Sequence, residues 1–380
     1  MKKIFSVKSL FLMVILSGIA VSGLFAAGHE HGEDFEFPTS DKGANFCFTS
    51  FPDLFNWNID YPQPGWEDAM DWFLGGMKKE GPAFSLNAGD IMDARWWENP
   101  DQVRRKTNQY WGGFARRFRD KNIRLFIAPG DHEYGDDGGL KNHKDLVPVF
   151  AEQFVKIFNM PVNGPEHKKG LAYSFTKGNL AVISVDQFED KGDKMGMTVS
   201  GKQLEWFENE LKKYSDKDFI IVQGHMPAAG PVRSKNSSAN MLKGGTNSAF
   251  WKTMVKYGVD AYLCGEHHRI TAKRVDGIWQ IVHGALWGTQ TDVNYLRGSV
   301  FDDKLVLELF KFDVEYSGGH IGDHPHRSPT HAPREKAAIS QEAIKHGPDI
   351  VGRLIIEKSD KENITALTSG AFIQDWYKQF

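Results

Sequence analysis

Cysteine is nearly absent from this 380-residue chain: there are two, Cys47 and Cys264. Two cysteines are too few for a disulfide scaffold. Both stand in short apolar runs that read as buried strands, where a disulfide or two free thiols would fit equally. A surplus of one charge is also missing, since 46 Lys and Arg stand against 49 Asp and Glu. Without a basic excess, nucleic acid is not expected as a partner. No period recurs among the 38 Gly and 16 Pro, which excludes collagen-like chains and argues against solenoids. What the chain does hold is apolar mass. Hydrophobic residues make up 41% and aromatics 13%, with 27 Phe and 11 Trp. That suffices for a large core and excludes global disorder. At about 150 residues per domain, the length allows two or three domains or one large α/β domain.

Lys2, Lys3 and Lys8 precede an uncharged run over residues 9–28, with small Ala26 and Ala27 near its end. A basic start, an apolar middle and a small-residue end predict a secretory signal peptide over residues 1–27. A retained anchor is the rival reading, because about 18 apolar residues nearly span a bilayer. Gly18, Gly23 and the two alanines weaken the run as an anchor, which favours cleavage. The expectation is an exported protein, periplasmic or extracellular, with no stable membrane insertion after signal cleavage. Losing three lysines leaves 43 basic against 49 acidic side chains, a net of −6. Residues 28–44 are polar and read as a disordered segment.

From residue 45 short apolar runs alternate with longer amphipathic ones. Strands are predicted over 45–51, 83–88, 123–128, 180–185, 219–222 and 259–264, and helices over 66–79, 101–121, 146–159, 201–214 and 248–257. Such alternation argues for an α/β domain. Lys177-Gly178-Asn179 and Asp276-Gly277 read as hairpin turns. From 270 the pattern becomes strands alone, over 270–275, 278–283, 305–312 and 351–357. Residues 316–348 read as a polar insertion carrying His320, His324, His326 and His331, more a solvated loop than a dedicated metal site. Residues 349–380 read as C-terminal strands that complete the domain.

The chemistry-bearing residues share one placement, just after a predicted strand. Pro52-Asp53, Gly89-Asp90, Gly130-Asp131-His132-Glu133, Gly224-His225 and Gly265-Glu266-His267-His268 follow five successive runs. In α/β folds ligands bind where the carboxyl ends of strands converge. Carboxylates and imidazoles are the usual ligands of divalent cations. A lone Gly-Asp signals only a turn; five such ends in series form a metal-site pattern.

This series resembles the calcineurin-like metallophosphoesterase superfamily, with the purple acid phosphatases nearest. Its motifs run D-x-H or D-x-G, G-D-x-x-D/Y, G-N-H-D/E, G-H and G-H-x-H, and the order agrees from about residue 45 to 290. The resemblance implies a four-layered α/β/β/α sandwich, a single large domain over residues 45–315. It also implies that Asp53 and His268 hold one metal, that Asp90 bridges two, and that Asp131, His225 and Glu266 hold the second. His132 would donate a proton to the leaving oxygen while a metal-bound hydroxide attacks phosphorus in line. The implied activity is an exported phosphoesterase acting on a phosphorylated small molecule, as monoester or diester. Phe55 departs from the usual ligand His, Asp93 from a Tyr, Asp131 from Asn and Glu266 from His. The oxygen-rich set predicts two divalent or mixed-valence ions, with Mn, Mg or Fe favoured over Zn.

Several neighbours have plainer readings. Asn56 and Asp60 read as turn residues, and Trp96, Trp97 and Trp111 as core before an aromatic wall. His283 suits a hydrogen-bonded structural role, and His267 would point away from the metals. Glu133 and Tyr134 would orient His132, and Arg269 is the candidate partner for phosphate charge ahead of Arg95, Arg233 and Lys243. Three other functions compete. A non-catalytic metal- or phosphate-binding protein fits the altered motifs but not the retained His132. Metal sequestration would use the His-rich insertion with His29-Glu30-His31. A glycosidase explains neither the histidines nor the glycine placements.

Overall fold

Apolar runs bounded by glycine and carboxylate become strands here because both their faces are covered. The computed structural model describes residues 42–53, 65–91, 98–135, 144–191, 195–232, 240–284, 292–317, 336–360 and 369–370. The predicted signal peptide, most of the polar segment after it and the four histidines of the insertion lie outside them. One sheet contains parallel strands β1 (Phe46–Ser50), β2 (Phe84–Asn87) and β3 (Leu125–Ile127). On the other side of β1 it continues antiparallel through β12 (Asp292–Val300), β13 (Lys304–Ser317), β15 (Asp349–Glu357) and β16 (Ser369–Gly370), with β14 (Lys336–Ile339) beside β13. The second sheet runs β10 (Thr271–Val275), β11 (Ile278–Val282), β9 (Ala261–Cys264), β8 (Phe219–Gln223), β5 (Leu180–Ser184) and β4 (Tyr173–Lys177). A small hairpin, β6 (Phe188–Asp190) and β7 (Met195–Met197), stands apart.

Side-chain alternation along the strands builds the layers. Phe48 on β1 stacks on Phe84 of β2 with ring centroids 5.4 Å apart, and Phe84 meets Phe175 of β4 edge-on at 5.1 Å. Those contacts join the two sheets. Phe51, just past β1, turns the other way, onto Phe73 of α1 (Trp66–Glu80) and Phe118 of α2 (Pro100–Asp120). Helix α3 (Val147–Phe158) packs on α2 around Trp111, which is fully buried. Trp111 is therefore core and not an aromatic wall. Behind the second sheet, Phe207 of α4 (Gly201–Lys213) meets Phe250 of α5 (Ala249–Lys256), which packs on Tyr262 of β9. The order is helix, sheet, sheet, helix, the expected four layers. Among the described residues no helix is long and apolar enough to cross a membrane.

Two readings change. The polar insertion over 316–348 is partly regular structure: β14 pairs with the end of β13, and α6 (Gln341–His346) follows. Ile339 and Ala343 bury there, and the Ser340 hydroxyl caps the helix by accepting from Ala343 N at 3.1 Å. Strand β12 was not predicted, although it pairs with β1. Its polar Arg297 is buried against Glu308 of β13 at 2.7 Å, so it carries no continuous apolar run.

That buried pair belongs to a cluster whose odd member is Glu80, the last residue of α1. Glu80 is 4% exposed, and its Oε1 accepts from the Tyr295 hydroxyl at 2.7 Å. Burial pushes its carboxyl from 4.5 up to about 7, against the pull of Arg297 and Tyr295. The folded chain thus keeps a proton that the unfolded chain loses across that window. The group's contribution is complete below about pH 4.5 and is lost as pH rises through 7, a decline on the order of 3 kcal/mol. Glu80→Gln, neutral throughout, is expected to flatten the fall of the urea midpoint between pH 5 and 8. An unchanged slope in the variant would show that Glu80 does not titrate there.

Candidate metal centre

The loops that leave β1, β2 and β3 of one sheet and β8 and β9 of the other carry the five motifs. Their backbone is under constraint. Asp53, Asp90, Glu266 and His268 hold φ of +55°, +56°, +71° and +51°. Side chains beyond Cα make that region cost about 1–2 kcal/mol per residue. Such strain persists only where surrounding bonds fix it, and it concentrates at functional sites.

Glu133 supplies much of the fixing. Its buried carboxylate accepts from Asp90 N and Gly130 N, each at 2.8 Å, and from Ile91 N at 3.0 Å. It ties the β2 loop to the β3 loop rather than orienting His132 through its ring. Gly130 cannot carry a side chain, because a Cβ there would overlap the Asp90 carboxylate. Asp53 joins the other edge: its N–H donates to Gly89 O at 3.1 Å, and its Oδ2 accepts from Glu266 N at 3.1 Å.

These bonds bring six predicted residues into two groups that share one member. Ligand atoms of Asp90, Asp131, His225 and Glu266 lie within 4.8 Å of one another, and so do those of Asp53, Asp90 and His268. All six are buried. The His225 Nδ1 lies 2.7 Å from the Ala88 carbonyl, which accepts its proton, so Nε2 is the nitrogen facing the acids. It stands 3.1 Å from Asp131 Oδ1, 3.2 Å from Asp90 Oδ2 and 3.4 Å from Glu266 Oε2, with no well-formed hydrogen bond. Burial pushes the Asp90 carboxyl well up, and Asp131 adds to it. Burial alone would depress the His225 imidazole, but Asp90, Asp131 and Glu266 raise it well above its ordinary value. Each shift expresses one need: this pocket of acceptors calls for positive charge, as a proton or as a metal ion. The donor set therefore fits a pair of cations.

His132 lies at the rim. Its backbone N–H donates to Asp90 Oδ1 at 3.2 Å, and its Nε2 stands 3.7 Å from Asp90 Oδ2 with the side chain 14% exposed. Other residues separate from the centre. His267 Nε2 faces Asn240 O at 3.2 Å, away from the acids. His283 is structural, bonded through Nε2 to the Ser50 hydroxyl at 2.9 Å, and burial pushes its imidazole down to about 4. Tyr134 donates to Asp186 and not to His132. Arg269 is buried, whereas Lys243 is exposed. Cys47 and Cys264 are not joined by a disulfide, and both are buried. Phe55, Asn56, Asp60, Asp93, Arg95, Trp96, Trp97 and Arg233 lie outside the described residues. The bonding role of Glu133 was not readable from sequence, because two of its three partners are more than 40 positions away.

The family model of calcineurin-like phosphoesterases matches residues 51–269, more than half of the chain, and the chain belongs to that family. No curated protein matches. Similar solved structures include GAP50, the anchor in the inner membrane complex of Plasmodium, at 14% identity and a TM-score of 0.44, covering 70% of this chain and 84% of that one. A Staphylococcus aureus protein assigned as a 5'-nucleotidase shows 17% identity and a TM-score of 0.39, covering 67% and 50%. Vps29 of Chaetomium thermophilum shows 13% and 0.31, covering 78% and 95%. Likeness at this level says nothing of function.

Glu133→Gln tests the clamp without reference to any metal. An amide turns one acceptor into a donor facing backbone N–H groups. Hydrogen bonds to a charged group contribute about 1.5–3 kcal/mol each. Amide exchange at Asp90, Ile91 and Gly130 is expected to accelerate more than tenfold, with a lower melting temperature. Unchanged protection at all three would remove Glu133 from this role.

Proposed function

We propose that the chain is an exported, metal-dependent phosphoesterase that hydrolyses a phosphomonoester or phosphodiester of a small molecule. The observation that carries this reading is Asp90, shared by two buried ligand groups beneath His132. Asp53, Asp90 and His268 would hold one cation, and Asp90, Asp131, His225 and Glu266 the other. When bound, such a pair supplies electrophilic pull on the phosphoryl group and lowers the pKa of water at the site. The chain's own residues do the rest. The Ala88 carbonyl fixes the His225 tautomer, leaving Nε2 free to ligate. The Glu133 clamp holds Asp90 and Asp131 at one separation. His132 donates a proton to the departing oxygen.

A panel of phosphomonoesters and phosphodiesters, assayed with Mn²⁺, Mg²⁺, Fe and Zn²⁺ and after chelation, tests the reading. Metal-dependent phosphate or alcohol release is expected. Tight metal binding with no hydrolysis of any ester would favour a metal- or phosphate-binding protein on the same fold. Asp90→Asn is expected to lower activity by more than ~10²-fold and to reduce bound metal below two ions per chain. Full activity with two ions bound would sink the bridging role.

Charge decides the metal preference. Asp53, Asp90, Asp131 and Glu266 bring −4, which two divalent ions only neutralise. Oxygen-rich sites favour Mn²⁺, Mg²⁺ or an iron-containing pair over zinc alone. Asp131→Asn with Glu266→His adds +2 of charge and a nitrogen donor. The double variant is expected to shift toward zinc and to bind phosphate more tightly, read as metal content and phosphate inhibition. Two tightly held zinc ions in the natural protein, with no gain in phosphate binding for the variant, would overturn the charge argument.

A further inference from the structure

We infer that Tyr134, Asp186 and Lys168 form a positioning chain that holds His132 over Asp90. The inference rests on the phosphoesterase reading of His132 given above. Asp186 follows β5, a strand end of the second sheet that carries none of the proposed ligands. It is fully buried. Its Oδ2 accepts from the Tyr134 hydroxyl and from Lys168 Nζ, both at 2.6 Å. Its Oδ1 accepts from Phe188 N at 2.9 Å, and Gln203 holds its backbone through Asp186 N at 3.1 Å and Asp186 O at 2.8 Å. Lys168 also donates to Phe188 O at 2.7 Å. The acid is therefore immobile and its charge is compensated.

That ion pair is already matched without Tyr134. What the added hydroxyl fixes is the turn His132–Tyr134, a single 3-10 turn. The turn is held internally by Tyr134 N to Asp131 O at 2.9 Å and Gly135 N to His132 O at 3.2 Å. A lone turn of this kind is weak on its own. Glu133 anchors it to the β2 loop, and Tyr134 anchors it to the β5 loop, with its ring 5.4 Å from that of Phe188. Between two buried anchors, His132 is the residue left facing the rim. A proton donor acts only within hydrogen-bond reach, and misplacement by about 1 Å can cost ~10²-fold.

The test uses the full chain, metal-loaded, with Tyr134→Phe, Asp186→Asn, His132→Ala and the double variant of Tyr134 and His132. Kinetics are compared on a 4-nitrophenyl ester, whose leaving group needs no proton, and on an alkyl ester, whose leaving group does. Tyr134→Phe is expected to lower kcat on the alkyl ester about tenfold, with KM, metal content and the 4-nitrophenyl rate near those of the natural protein. Asp186→Asn, which keeps the side chain's shape, is expected to act in the same direction. In the His132→Ala background Tyr134→Phe is expected to have no further effect. Equal losses on both esters, or additive losses in the double variant, would overturn the inference. If the natural protein hydrolyses no ester, the phosphoesterase reading fails and the side-chain signal of His132 in ¹H–¹⁵N spectra decides this one. One sharp signal in the natural protein and a broadened or doubled one in Tyr134→Phe would support the chain, and identical signals would overturn it.

Discussion

The carboxylate of Glu133, bonded to three backbone amides from two loops, sets the distance on which the rest of the centre depends. Asp90 N and Ile91 N belong to the loop after β2, and Gly130 N to the loop after β3. Each loop alone leaves its amides exposed at a strand end, where the ladder stops. One anion satisfies three of them and locks the loops together. Asp90 can then hold a left-handed backbone, and Gly130 passes so close that no Cβ fits between them. The proposed ligands of both cations inherit their spacing from this contact, because Asp90 belongs to both groups.

The electrostatics follow from crowding on that frame. Four carboxylates and two imidazoles gather where burial has removed water. Burial raises Asp90, and the acids raise His225, so the folded chain itself favours extra positive charge at this point. Glu308 shows the other solution, a buried acid paired within the chain by Arg297 and Arg353. The contrast separates two kinds of buried acid in one protein. At Glu308 the neutralising cations are covalently part of the chain; at Asp90 the proposed neutraliser is a bound ion.

What the sequence revealed depended on range. Strands β1, β2, β3, β8 and β9 are short and rich in apolar residues, and each is followed by a glycine or proline and then a ligand-type residue. Both signals are local. Strand β12 is hidden because its inward polar groups are matched from outside it: Arg297 by Glu308 of β13, and Asn294 by Gly284 N, just past β11, at 2.7 Å. The same holds for the supporting residues. Tyr134 stands next to the motif, but its partner Asp186 is 52 positions away, and nothing in either residue type marks the pair. Trp111 reads as core from its spacing on a helix, and three phenylalanines of α3 enclose it there.

The replacement of histidine by Glu266 shows why a substitution at a ligand position cannot be judged by charge alone. A carboxylate has two oxygens, and here they face different ways. Oε2 lies 3.4 Å from His225 Nε2, within the proposed metal group. Oε1 accepts from Asn240 N at 2.9 Å, and the next residue, His267, meets Asn240 O at 3.2 Å. Consecutive motif residues thus grip both backbone groups of one residue. Beyond it the segment is tied on by Leu242 N to Pro227 O and Lys243 N to Met197 O, both at 2.8 Å. An imidazole that gave one nitrogen to a metal would have a single N–H left, and an N–H cannot accept from the Asn240 amide. The acid therefore adds negative charge to the centre and, by the same substitution, fastens the neighbouring backbone to it. Restoring histidine would change both at once, so the proposed metal preference of this centre and the anchoring of residues 240–243 both trace to one side chain.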